Sequence, residues 1–270
     1  MLGTDFVRAA TYWNHDVVGL DLPELDITDA DAIWRTCAEH RPDVVVNCAA
    51  YTDVDGAEDD LVGASRVNVE GARFVALAAA EVGASVVYPS TDYVFDGLKG
   101  APYVESDATR PLSVYGQTKA AGEAETAAAN QRYFIVRTSW LFGTAGRNFV
   151  DTMLALGRDQ GDVVVVRDQV GCPTYTAHLA DALVRLIGTQ AFGIHHIAAG
   201  GECSWYEFAQ EIFRQAGLEV RMMSMTTAEL SRPAPRPPYS VLATERAEAI
   251  YLPDWQEGLA SFLAERAVAT

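Results

Sequence analysis

A chain of 270 residues, 49% hydrophobic and 21% charged, is large enough to bury one big core or a core with a smaller lobe. Its 20 Lys and Arg stand against 37 Asp and Glu, a net charge of −17. No nucleic-acid partner is therefore expected, because phosphate backbones are held by clustered cations. The acidic surface does not steer anions either, so a phosphorylated ligand needs local amides and a few cations. Cys37, Cys48, Cys172 and Cys203 form no C-x-x-C pair and read as buried or free thiols of a reducing compartment, with no metal site among them. No apolar run reaches the ~18 residues of a membrane helix, and the first residues show no secretory pattern. The expectation is a cytoplasmic protein with no membrane partner.

The opening MLGTDFVRAA places Gly3 before a short helical run, Asp5 to Ala10. An apolar strand is expected over Val17 to Leu20, ending in Asp21. TDADAIWRTCAEHR (28–41) reads as a helix, with Thr28 and Asp31 as a box-like cap. Strand-length runs rich in β-branched residues follow at 43–50, 84–92 and 132–143, with helical patterns at 64–83 and 118–129 between them. The alternation continues with a strand at 163–169, a helix at 178–188, a strand at 193–200 and a helix at 204–217. SRPAPRPPYSVLAT (231–244) is too rich in proline for helix or central strand, and a tail helix is expected near 253–266. Strands that are continuously apolar and alternate with helices indicate a parallel sheet covered on both faces. The fold class is α/β, a doubly wound parallel sheet with a smaller C-terminal lobe. Residues 1–199 form the core, 146–161 contribute to the substrate side, and 200–270 form the lobe. Ligands of such sheets bind beyond the carboxyl ends of the strands.

The chemistry-bearing residues stand just after expected strands. Tyr115 and Lys119 in SVYGQTKAAGE share one helix face. A phenol titrates near ~10, too high for proton transfer at neutrality, and a cation one turn away lowers that value. The bland alternative is a packed tyrosine and a solvated lysine. PSTDYVFDG (89–97) puts Thr91 and Asp92 at a strand end, where a hydroxyl can hydrogen-bond a carbonyl that Tyr115 protonates; a turn hydroxyl is the alternative. In NCAAYTDVDGAE (47–58), Ala49 and Ala50 let a flat ligand lie close to the backbone, or simply make a tight turn. Gly3 before a helix, with Asp21 at a strand end 18 residues later, matches the last part of a dinucleotide-binding fingerprint, in which such a carboxylate accepts from adenosine ribose hydroxyls and repels a 2′-phosphate; this leans toward NADH over NADPH. His195 and His196 lie on a strand and read as core residues.

Together LDITD (25–29), RPDVVVNCAAYTDVDGAE (41–58), NVEGA (68–72), STDYVFDG (90–97), YGQTKAAGE (115–123), RTSWLFG (137–143), NFV (148–150), GCPTY (171–175) and RPPYSVL (236–242) stand in the order and spacing of one family. The chain resembles the dTDP-4-dehydrorhamnose reductases of the extended short-chain dehydrogenase/reductases over nearly its whole length. That resemblance implies a Rossmann-like NAD(P)-binding core and NADPH- or NADH-dependent reduction of the 4-keto group of a dTDP-4-keto-6-deoxyhexose. It implies that Thr91, Tyr115 and Lys119 are the catalytic set, and that Thr91, Asp92 and Trp140 contact the sugar. Gly3, Asp21, Asp26, Ile27, Ala50, Tyr51 and Thr52 are then cofactor residues, together with Tyr115 and Lys119. Arg232 and Arg236 are either contacts for the substrate diphosphate or part of a solvated loop.

The chain departs from that family at its start. M-L-G matches the last part of the glycine loop, so the first strand and most of the loop are expected upstream of Met1. A non-catalytic nucleotide-binding subunit, resembling the methionine adenosyltransferase β subunit, is the alternative function, and a nucleotide-sugar epimerase a weaker one. Relatives include dimers, some bridged by Mg²⁺ through surface carboxylates. A homodimer is an open expectation, and no Mg²⁺ ligand set maps onto this sequence.

Overall fold

The computed structural model describes residues 1–159 and 162–268. Residues 160–161, at the end of the expected 146–161 segment, and 269–270, at the end of the expected lobe, lie outside the described residues. In chain order the elements are α1 (Leu2–Tyr12), α2 (Ala30–His40), β1 (Val44–Val46), α3 (Gly56–Asp59), α4 (Leu61–Ser65), a π-helical turn (Arg66–Gly71) and α5 (Ala72–Glu81). Then come β2 (Ser85–Thr91), a 3₁₀ turn (Asp92–Val94), α6 (Val114–Ala129), β3 (Tyr133–Thr138), β4 (Leu141–Phe142), α7 (Phe149–Asp159) and β5 (Asp162–Val166). β6 (Val170–Gly171), β7 (Thr174–Tyr175), α8 (Thr176–Ile187), β8 (Gly193–His196), β9 (Cys203–Ser204), α9 (Trp205–Ala216), β10 (Arg221–Met225), α10 (Thr227–Leu230) and α11 (Trp255–Val268) complete the chain.

The main sheet is parallel, in the order β1-β2-β3-β8. Side chains alternate across β2, so Val87 packs with α1 and α8 on one face while Val86 and Tyr88 face the helices of the other. The sheet is thus covered on both sides, as continuous apolar strands require. A second hydrophobic core gathers α7, β5, α9 and α11 around Phe142, Phe208, Phe213, Trp255 and Phe262. The segment 231–244 contributes isolated bridges, Tyr239 to Val170 and Leu242 to Tyr103. Among the described residues no helix is long and apolar enough to cross a membrane.

Three local expectations are corrected. Val17–Leu20 is not a strand. β1 ends the sheet order, no described strand pairs with 17–20, and Val18 and Leu20 are 54% and 42% exposed. β-propensity without a ladder partner does not make a strand. The cap of α2 is Asp29, which accepts from the Ala32 amide at 3.0 Å, while Thr28 bonds back to Asp26. Asp outcompetes Thr because it lies one residue nearer the first free amides. α6 extends one turn earlier than its alanine pattern suggests. Ser113 caps it by accepting from the Gly116 amide at 3.1 Å, which brings Tyr115 into the first turn.

Removing a filled core side chain leaves a cavity, whereas trimming an exposed one does not. Phe262→Ala is expected to cost about 3–5 kcal/mol in urea unfolding. Val18→Ala should change stability by less than about 0.5 kcal/mol if 17–20 lies outside the sheet.

Candidate active site

The carboxyl end of β2 and the start of α6 meet because a glycine allows it. A Cβ at Gly116 would stand 2.3 Å from the Tyr93 carbonyl oxygen, so only glycine lets the helix descend onto the turn after β2. There the Thr91 hydroxyl lies against the phenol of Tyr115, whose ring packs edge-on to Tyr93 at 5.8 Å. Burial pushes Tyr115 up to about 12, with the Thr91 hydroxyl acting in the opposite direction.

Lys119, one turn further along α6, is buried. Its ammonium donates to the Pro89 carbonyl at 2.7 Å and sits 3.9 Å from the centre of the Tyr88 ring. This contact follows from β2 itself. The amides of Ser85 and Val86 point to opposite neighbours, Asp43 and Arg132, so odd-numbered residues of β2 face β1. β1 is paired only as far as Val87, and at Pro89 a missing N–H removes no ladder bond. The Pro89 carbonyl, past the end of β1, is free to accept from Lys119. Burial draws Lys119 down to about 7, against Glu123, which favours its charged form. One ammonium hydrogen is thus given to Pro89 while the charge rests over Tyr88, and burial rather than Lys119 governs the Tyr115 value.

Glu123 completes the same helix face and was not singled out from the sequence, although its spacing of one turn from Lys119 was readable. It is buried, accepts from Ser90 Oγ, and takes Arg137 Nε at 2.9 Å and Nη2 at 2.7 Å in a bidentate pair. Arg137 Nη1 lies 3.4 Å from His196 Nε2, and Phe95 lies under the guanidinium at 5.2 Å. His195 and His196 are core residues, with ring nitrogens against backbone carbonyls and burial lowering both pKa values.

Asp92 is buried beside Thr91. Its Oδ1 lies 3.1 Å from Thr91 Oγ1, its Oδ2 accepts from Ser240 Oγ, and burial pushes it up to about 7. Trp140 adopts φ 48°, a conformation costly for a non-glycine residue, and its ring stacks flat on Trp205 at 3.6 Å. A Cβ at Gly171 would come within 2.6 Å of the Trp140 indole, so glycine is required there too. The neighbours of Trp140 are therefore Trp205 and Gly171. Arg137 turns to Glu123, and Phe142 joins the second core.

The expected cofactor residues fall into two groups. Gly3 packs against Cys48, which follows β1, and Ala49 to Thr52 continue from it half-buried or exposed. Tyr51 is fixed by Asn68, whose side chain bonds the Tyr51 amide and carbonyl and the Thr118 hydroxyl. Asn68 had no local signal for this role. Ile27 packs on Gly71 and the α2–α5 side of the sheet. Asp26 is exposed and caps its own turn, and Asp21 accepts from its neighbour Leu22. Without a strand over 17–20, Asp21 does not stand at a strand end, and the lean toward NADH loses its basis. The donor set suits a dinucleotide: a buried ammonium with one hydrogen bond among the described residues, beside a phenol and an open alanine turn.

Arg232 and Arg236 both pair with Asp55, at 3.0 and 2.9 Å. Among the described residues no group of three His, Cys, Asp or Glu is placed to hold a metal ion, and no Mg²⁺ ligand is assigned.

The family described as the RmlD substrate binding domain matches residues 1–268. The chain is 45% identical over 256 residues to a dTDP-4-dehydrorhamnose reductase of Streptomyces griseus, covering 92% of this chain and 84% of that protein. The crystal structure of a dTDP-4-dehydrorhamnose reductase from Clostridium acetobutylicum has 42% identity and a TM-score of 0.96, covering 98% of this chain and 96% of that one. The Bacillus anthracis dTDP-4-dehydrorhamnose reductase in complex with NADP has 40% identity and a TM-score of 0.95, covering 98% and 95%.

Burial opposes ionisation of Asp55, but hydrogen bonds from Arg236 and Arg232 outweigh it and hold its carboxyl at about 2. A carboxyl depressed in the folded state stabilises fully above its unfolded value of about 3.9 and loses that contribution as pH falls toward about 2. Urea midpoints measured from pH 5 to pH 2 should fall more steeply for the wild type than for Asp55→Asn.

Proposed function

Because this chain belongs to the RmlD substrate binding domain family, the dTDP-4-dehydrorhamnose reductases and their relatives, we propose that Thr91, Tyr115 and Lys119 carry out its reduction of a dTDP-sugar. The protein is an oxidoreductase that uses a nicotinamide dinucleotide to reduce the 4-keto group of a dTDP-4-keto-6-deoxyhexose, dTDP-4-dehydrorhamnose or a related deoxysugar. The observation that carries the assignment of residues is their convergence at the carboxyl end of β2.

NADPH or NADH, when bound, supplies the hydride. As the C4 oxygen gains negative charge it becomes a stronger base than a phenolate, so Tyr115 gives up its proton downhill. A phenol held at about 12 keeps that proton at neutral pH until the oxygen demands it. The Thr91 hydroxyl donates to the same oxygen. Lys119 turns its unspent donors to the nicotinamide ribose and favours the phenolate that remains. Asp92 and Trp140 line the sugar. Gly3, Asp26, Ile27, Ala50, Tyr51 and Thr52 line the cofactor, and Asp21 is retained at its adenosine end.

The division into a dinucleotide-binding core (1–199) and a substrate lobe (200–270), with 146–161 on the substrate side, belongs to the same proposal. The second hydrophobic core, which joins α7 to α9 and α11, supports it. Cytoplasmic residence, in keeping with four free thiols, and assembly as a homodimer belong to the same proposal. The relatives named above are reductases, which leaves the regulatory-subunit alternative without support.

The assay is NADPH oxidation with dTDP-4-keto-6-deoxyglucose and the 3,5-epimerase that supplies the natural substrate. Tyr115→Phe should lower kcat by about 10²–10⁴-fold with cofactor binding retained. Turnover that survives it removes Tyr115 as the acid. Trp140→Ala is expected to raise KM for the sugar nucleotide more than it lowers kcat, as read from the separate constants.

A further inference from the structure

A hydroxyl has one hydrogen to give and two lone pairs, and those of Thr91 can be counted. The Tyr93 amide donates to one lone pair at 3.1 Å. One hydrogen and one lone pair remain, to be divided between Asp92 Oδ1 on one side and Tyr115 with the substrate oxygen on the other. An ionised Asp92 can only accept, so it takes the Thr91 hydrogen and turns a lone pair toward the substrate carbonyl, which is itself an acceptor. The two oxygens then repel. A neutral Asp92 reverses the direction: its proton goes to Thr91, and the Thr91 hydrogen is released to the site. Ser240 decides which oxygen bears that proton, because its hydroxyl donates to Oδ2 and leaves Oδ1 to carry it.

Resting on the reductase reading of this site, we propose that Asp92 works as a neutral acid that makes Thr91 a donor to the substrate carbonyl, with Ser240 as the residue that positions its proton. The surroundings favour the neutral form. Asp92 is 2% exposed and faces Thr91, Tyr93, Tyr115 from α6, Cys172 from the turn between β6 and β7, and Ser240. Among the described residues no cation pairs with it, and Arg236 reaches Tyr93 while holding Asp55. Burial accordingly keeps the Asp92 proton on up to about pH 7.

A raised carboxyl that must stay protonated gives activity below its pKa and loss above it. The test is the pH profile of kcat/KM for NADPH-dependent reduction. From pH 6 to 9 the wild type should fall on the order of a hundredfold, as one ionisation near 7 dictates. Asp92→Asn, whose amide always donates to Thr91, should fall less than about tenfold over the same range. Ser240→Ala removes a hydrogen bond to the ionised form and should move the falling limb to higher pH. A limb that stays in place in Asp92→Asn belongs to Lys119 and overturns the proposal, as does a downward shift in Ser240→Ala. The infrared spectrum gives a readout independent of turnover. A neutral-carboxyl band present at pH 6 in the wild type and missing from Asp92→Asn supports the proposal, and its absence from the wild type overturns it. No turnover by the wild type at any pH overturns the reductase reading, and this proposal with it.

Discussion

The Glu123 carboxylate is the fixed point around which the site is arranged. It lies on α6, receives Ser90 from β2 and is clamped by Arg137 from β3, which in turn reaches His196 on β8. Three adjacent parallel strands and the helix above them are thereby locked in register at the carboxyl end of the sheet. A pair this deeply buried adds little net stability over a well-packed apolar substitute, because both charges lose their hydration. Its value lies in geometry: removing one partner strands the other charge, so alternative placements of α6 are costly. Tyr115 and Lys119 are on the same face of that helix, and their positions over Thr91 and Pro89 follow from it.

The rest of the site is set by how backbone groups are spent. Pro89 interrupts a central strand without cost only because β1 has already ended, and the carbonyl left over fixes Lys119. Gly116 lets α6 approach the turn after β2. Two aspartates then join the main sheet's side of the molecule to the segment 231–244. Asp92 takes Ser240, and Asp55 takes Arg232 and Arg236. They differ in charge state for a physical reason: Asp55 meets two guanidiniums and stays ionised, whereas Asp92 meets only hydroxyls and an apolar wall and holds a proton near neutrality.

Much of this was legible in the residues, and what was not legible had a common cause. β2 and α6 could be read because β-branched runs and alanine-rich helical spacing are local signals, and their junction carries Thr91, Tyr115 and Lys119. Val17 to Leu20 has the composition of a strand, yet a strand needs a neighbour, and composition does not report one. Thr28 resembled a cap until Asp29 competed for the same amides. Ser240 stands 148 residues from the carboxylate it bonds, and Trp205 meets Trp140 only because two chain segments converge. Glu123 is the instructive intermediate case: its place on the helix face was readable, but its partner Arg137 on the next strand was not. Local pattern thus identified the groups proposed to do the chemistry, while the groups that orient them came from tertiary packing.

Reduction at the proposed site delivers hydride to C4 of the sugar at the carboxyl end of β2. The most direct measurement follows the hydrogen itself, using NADPH dideuterated at the nicotinamide C4 and a dTDP-4-keto-6-deoxyhexose, with the product examined by NMR. Deuterium at C4 of the product sugar is the expected result. Deuterium at another carbon, or a product that carries none, would contradict hydride transfer to C4.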